Sequence, residues 1–173
     1  LLLGTELNIM NARGEIDLPD SVLERLDIAI ASIHMPCFKD ERTIDNVTAA
    51  YEKVMEHPYV DIIGHPDDGR FPVDMKRLVK KAKETGTLLE VNNSSLRPEG
   101  FRENTKENCL EMVKECKAQG VMIVLGSDSH VDADIAEYPY AEEILRETDF
   151  PEELVANVSL EKLKACIKHG KKL

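Results

Sequence analysis

The sequence predicts an α/β domain built on a largely parallel sheet. Three observations carry that expectation. Short runs rich in Ile, Val and Leu recur along the 173 residues, and most are followed by a stretch with helical periodicity. The runs are mostly uniform and apolar rather than alternating, as in strands covered on both faces. Polar residues cluster where the runs end. Two closures fit, a doubly wound sheet or a TIM-type barrel, and in both the chemistry gathers at the carboxyl ends of the strands.

Residues 1–10 read as a strand, and Asn11-Ala12-Arg13-Gly14 as a turn. Glu15-Ile16-Asp17-Leu18 returns as a short hairpin arm, and Pro19-Asp20-Ser21 opens a short helix to about Arg25. Ile28–Ile33 is a second strand, 43–56 a helix, and Val60–Gly64 a third strand. Residues 73–84 form a basic amphipathic helix with Met75, Leu78, Val79 and Ala82 on one face, closed by Gly86. Thr87–Val91 is the fourth strand, 105–119 a helix closed by Gly120, and Val121–Leu125 the fifth strand. Helices over 140–147 and 159–168 follow, the second capped by Ser159. The chain shows no linker or repeat and reads as a single domain over 1–173.

Composition excludes some functions. A net charge of −11, from 22 basic and 33 acidic residues, disfavours nucleic acid as a partner. Trp is absent, so no aromatic platform for single strands is expected. No apolar run is long enough to span a bilayer, and no partnership with a membrane is expected. Cys37, Cys109, Cys116 and Cys166 form no CxxC pair, which fits a reducing, cytoplasmic location. Cys109 and Cys116 share one helix face and read as buried thiols, while Cys37, three residues after His34, is an alternative metal ligand.

The strand ends hold the chemistry. Glu6 lies late in the first strand, His34 follows the second, His65 the third, Asn92 and Asn93 the fourth, and Asp128 and His130 the fifth. Alternation along an extended backbone would send Asp128 and His130 to the same side. Three of the five His thus stand at three strand ends, joined by two carboxylates, whereas His57 and His169 lie at helix ends and read as solvated. Imidazole and carboxylate together suit Zn²⁺, Mn²⁺ or Fe²⁺. Glu6 is the candidate bridge between two ions about 3.5–4 Å apart, the usual spacing for phosphoester hydrolysis. Arg70 is a candidate phosphate clamp, because a guanidinium matches phosphate geometry. Asn93, Ser95 and Ser129 are candidate donors to phosphate oxygens or props for the ligands.

Taken in order, Gly4-Thr5-Glu6-Leu7-Asn8-Ile9, Gly14-Glu15-Ile16-Asp17, Ala31-Ser32-Ile33-His34, His65-Pro66, Glu90-Val91-Asn92-Asn93-Ser94-Ser95 and Gly126-Ser127-Asp128-Ser129-His130 resemble the PHP (polymerase and histidinol phosphatase) superfamily. The resemblance is strongest to its YcdX-type phosphatase branch and covers essentially the whole chain. It implies a distorted seven-stranded (β/α) TIM-like barrel with up to three ions, usually zinc or manganese, hydrolysing phosphate esters with activated water as the attacking group. Glu6 then matches a carboxylate bridging two metals, His34 and His65 ligands of the second, Asp128 a ligand of the first and His130 a ligand of the third.

The family's upstream H-x-H and D-H-G motifs are missing from this sequence. The chain therefore reads as the C-terminal portion of an incomplete barrel, holding fewer ions than the family norm. It is expected to act on a small phosphorylated substrate, and an open barrel edge invites self-association. The competing expectations are a catalytically silent metal-binding module in a larger assembly and a related metal-dependent amidohydrolase.

Overall fold

The computed structural model describes residues 1–168. Five strands, β1 (Gly4–Asn8), β2 (Ile28–Ser32), β3 (Ile62–Ile63), β4 (Leu88–Asn92) and β5 (Ile123–Gly126), form one sheet in the order β1-β2-β3-β4-β5. Every pairing is parallel. The six helices are α1 (Asp20–Leu23), α2 (Ile44–Val54), α3 (Met75–Thr85), α4 (Thr105–Gln119), α5 (Pro139–Thr148) and α6 (Leu160–Cys166). Each lies within a few residues of its expected position. Three 3₁₀ turns, at Asp132–Asp134, Glu152–Leu154 and Ala156–Val158, carry no periodicity and were not expected.

Local chemistry accounts for the helix ends. Thr43 accepts from the amide of Asn46, Asp74 from that of Arg77 and Ser159 from that of Lys162. Gly86 and Gly120 take the left-handed conformation that ends α3 and α4. The hairpin arm expected after the first strand survives as a single antiparallel bridge, Ile9 to Ile16.

Alternation divides the sheet. Odd-numbered residues, including Leu7, Ala29, Ala31, Ile63, Leu89, Val91 and Ile123, enter a main core shared with buried residues of α2, α3, α4 and α5. Even-numbered residues face the other way. Their lower layer, Ile28, Ile30, Ile62, Leu88 and Val124, is capped by Ala156, Leu163, Cys166 and Ile167 around α6. Above it the same face turns polar, with Glu6, Ser32, Glu90 and Asn92.

The consecutive strand order, with α2–α5 packed on one face, is not that of a doubly wound sheet, whose order reverses. The seven-stranded TIM-like barrel implied by the resemblance, expected to be incomplete in this chain, is not shown either. The described residues make an open sheet of five strands, with β1 and β5 as edges.

Cys109 and Cys116 are buried, as expected, and burial pushes the Cys116 thiol up to about 12. His57 sits far from the sheet mouth with Nε2 3.2 Å from an Asp20 carboxylate oxygen, and His169 lies outside the described residues.

Candidate metal centre

The polar upper layer of the inner face opens at the carboxyl ends of β1, β2 and β3. Glu6 rises from β1, His34 follows β2 and His65 follows β3. Glu6 Oε1 stands 3.1 Å from His65 Nε2 and 3.4 Å from His34 Nε2. One ligand atom from each residue lies within 4.8 Å of the others. The two rings are tilted by 59° with centroids 5.1 Å apart.

A chain of hydrogen bonds aims the His34 ring. Asp17 accepts from the Asn8 backbone N–H at 2.9 Å and from Asn8 Nδ2 at 2.6 Å. That leaves Asn8 Oδ1 facing His34 Nδ1 at 2.8 Å, so Nδ1 carries the proton and donates it. His34 Nε2 then presents a lone pair to the Glu6 carboxylate. Two acceptors facing each other require a proton or a cation between them. An outer partner on the far imidazole nitrogen is the usual arrangement around a metal-bound histidine, so the donor set fits a divalent cation. In the metal-free protein, protons shared with His34 and then with His65 hold the Glu6 carboxyl well below the usual carboxylate range, and a cation bound between these atoms would take their place.

Asp128 and His130 stand outside this trio. The strand ends at Gly126 and Asp128 takes φ +48°, so regular alternation stops there, although the two side chains still approach each other, His130 Nδ1 lying 3.9 Å from Asp128 Oδ1. Asp128 Oδ2 accepts from Arg102 Nη1 and Nη2 and from Asn92 Nδ2, each at 3.2 Å. The His130 side chain is 85% exposed, and its Nδ1 approaches the Asp128 backbone carbonyl at 3.0 Å.

The expected phosphate-binding residues separate in the same way. Arg70 lines a cleft of about 400 Å³ with His34, His65, Cys37, Met35 and Phe101. Its Nε is already 2.9 and 3.0 Å from the two Asp68 oxygens. Asn93 Oδ1 instead accepts the backbone N–H groups of Tyr140 and Ala141 and so starts α5. Ser95 Oγ accepts from Arg102 Nη1 at 2.7 Å, and Ser129 Oγ donates to the Val131 carbonyl.

Three polar groups near the site, two of them buried, were not among the residues expected from the sequence. Glu90 is 7% exposed in the middle of β4. A lone carboxylate inside an otherwise apolar strand was the available signal. Arg102 carried none, because its loop has no periodicity. Asp67 stands in an Asp-Asp-Gly sequence of the kind that ordinary turns use, yet it is 1% exposed and neither carboxylate oxygen has a hydrogen-bond partner.

Burial raises the Asp67 carboxyl from 3.8 to about 7, with Arg102 opposing and Glu90 adding to the rise. The folded protein then keeps this proton up to about pH 7, whereas the unfolded chain releases it near pH 3.8. Between those values the unfolded state binds fewer protons, so stability falls as pH rises and levels off above 7. Asp67→Asn is expected to remove that slope. Its unfolding free energy relative to the parent should grow by at most about 4 kcal/mol from pH 4 to pH 7. Urea titrations of the chelator-treated proteins check this, and parallel profiles would contradict it.

No protein-family model matches the chain. It is 45% identical over 173 residues to a probable phosphatase of Clostridium novyi, covering 100% of this chain and 70% of that protein. It is 42% identical over 171 residues to a probable phosphatase of Acetivibrio thermocellus, covering 99% and 69%. Among solved structures, it resembles the histidinol phosphate phosphatase of Lactococcus lactis complexed with zinc, L-histidinol and phosphate, with a TM-score of 0.53 and 15% identity. That match covers 76% of this chain, which spans 61% of the other's length. At such identity the likeness speaks for the fold alone. Among the described residues, no helix is long and apolar enough to cross a membrane.

Proposed function

Because the chain belongs to the family of these bacterial probable phosphatases, we propose that it serves the hydrolysis of small phosphate monoesters at a divalent-cation site built on Glu6, His34 and His65. The observation that carries this reading is the meeting of two imidazole Nε2 atoms on one carboxylate oxygen, with the His34 proton held on the opposite nitrogen. Zinc fits the donor set best, and manganese and iron(II) are acceptable to it. When bound, such an ion supplies Lewis acidity toward water and the phosphoryl oxygens.

The chain's own residues do the remaining work. Glu6 contributes negative charge, and Asn8 and Asp17 keep the His34 ring oriented. Of the four residues expected at the phosphate, only Arg70 lines the cleft shared with His34 and His65, where its guanidinium would receive phosphate oxygens. Asn93, Ser95 and Ser129 are proposed as supports rather than contacts. Asp128 and His130 are kept as ligands of additional ions, which requires 126–130 to re-aim both side chains, because Asp128 is paired with Arg102 and His130 faces solvent. The one-sided five-strand arc is proposed to be part of a PHP-type TIM-like barrel. Pairing of β1 with a second copy through its outer edge belongs to the same proposal.

Chelation tests the reading. Hydrolysis of an aryl phosphate is expected to fall at least about a hundredfold on treatment with a chelator and to return with zinc or manganese. Undiminished turnover by metal-free protein refutes metal dependence. Metal binding without hydrolysis would favour the silent module.

A further inference from the structure

The two site residues with unusual backbone conformations lie at opposite ends of one hydrogen-bond chain. His65 has φ +31° and Asp128 has φ +48°, a region that ordinary side chains rarely adopt. The His65 backbone N–H donates to Glu90 Oε2 at 2.8 Å. The same oxygen accepts from Asn92 Nδ2 at 3.1 Å, and that amide's other hydrogen goes to Asp128 Oδ2 at 3.2 Å. One amide group therefore clamps two carboxylates, Glu90 on one side and Asp128 on the other. Arg102 closes the far end by gripping Asp128, Ser95 Oγ and Asn92 Oδ1.

The sheet is shaped to admit Glu90. Its neighbours on the inner face, at the ends of the flanking strands, are Gly64 and Gly126. A Cβ on Gly126 would collide with Glu90 Oε1 and come within 2.8 Å of its Cδ. A Cβ on Gly64 would collide first with Ser32 Oγ and lie 2.9 Å from the Ile30 side chain, meeting Glu90 Oε2 only in ordinary contact at 3.5 Å, so Gly126 is the glycine that makes room for Glu90. Glu90, Asn92 and His65 are 7%, 1% and 3% exposed, so water cannot replace these contacts. A solvated or purely packing carboxylate needs no such slot and would not hold the backbone of a candidate ligand.

We propose that Glu90 is a positioning residue of the centre: it holds the His65 backbone in its left-handed turn and, through Asn92, sets the position of Asp128 relative to His65. Glu90 touches neither substrate nor ion. The assignment rests on the phosphatase reading for its consequence, but its geometry exists without any ion.

The test compares the full chain with its Glu90→Gln and Glu90→Ala variants, using zinc as the probe. Outer partners of metal ligands typically contribute 10–100-fold in affinity. Glu90→Ala is expected to weaken zinc binding by that factor, while Glu90→Gln, which keeps an acceptor for the His65 N–H and Asn92, stays within about threefold of the parent. Parent-like affinity in folded Glu90→Ala overturns the assignment, as does Glu90→Gln behaving like Glu90→Ala. Amide hydrogen exchange on the metal-free parent is the second readout, and it decides even where Glu90→Ala does not fold. The His65 amide should be protected as strongly as the β4 amides, and free exchange there overturns the assignment whether or not zinc binds. A parent that binds no zinc but protects this amide sinks the metal-site reading and leaves the positioning role standing.

Discussion

Glu6→Gln is expected to weaken zinc binding by more than about a hundredfold and to lower kcat/KM for an aryl phosphate by at least a comparable factor. The substitution preserves shape and removes only charge. In the parent, one Glu6 oxygen faces both His34 Nε2 and His65 Nε2, and its negative charge is what would make this meeting of nitrogens a cation site. Losing an outer partner of a ligand costs about 10–100-fold, so losing a ligand itself should cost more. His57→Ala is the control. That ring pairs with Asp20 on the outside of the fold, and its loss should leave both quantities unchanged. Isothermal titration with zinc and steady-state kinetics check the pair. A Glu6→Gln protein with parental zinc affinity would show that the trio is an ordinary internal hydrogen-bond cluster.

The second large effect is on stability. Gly126→Ala should destabilise the metal-free fold by about 2–3 kcal/mol, although alanine suits a strand no worse than glycine. The added methyl falls on the Glu90 carboxylate, which is buried and bonded to His65 and Asn92 and so cannot swing away freely. Combining Gly126→Ala with Glu90→Ala removes the collision. The double variant should therefore be more stable than the sum of the single costs predicts, by about 1–3 kcal/mol. Urea denaturation of the four proteins measures the cycle, and simple additivity would mean that Glu90 does not occupy the slot.

These two sites mark what was legible in the sequence. The strand-then-helix rhythm was readable because burial on both faces leaves runs such as Leu88–Val91 and Val121–Leu125 almost purely apolar. The placement of Glu6, His34 and His65 was readable because parallel neighbours bring equivalent strand ends side by side. At Asp128 and His130 the backbone leaves the extended region after Gly126 and the period of two no longer applies; the pair still meets at 3.9 Å, but outside the Glu6, His34 and His65 group. Asn93 shows a second limit. A short polar residue after a strand can start a helix as readily as bind a ligand, and here it meets the first amides of α5. Arg102 acts across a loop on Asp128, 26 residues away, and nothing local announces such a contact. Barrel closure depends on how many strands stand side by side, which the pattern within any one strand does not encode.

The most direct test of the account is the position of zinc itself. Diffraction data collected at the zinc edge from zinc-soaked crystals of this chain should show an anomalous peak about 2.0–2.2 Å from His34 Nε2, His65 Nε2 and a Glu6 carboxylate oxygen. A zinc-soaked crystal with no peak there, and with both imidazoles still bonded directly to Glu6, would contradict the metal centre and the phosphatase chemistry built on it.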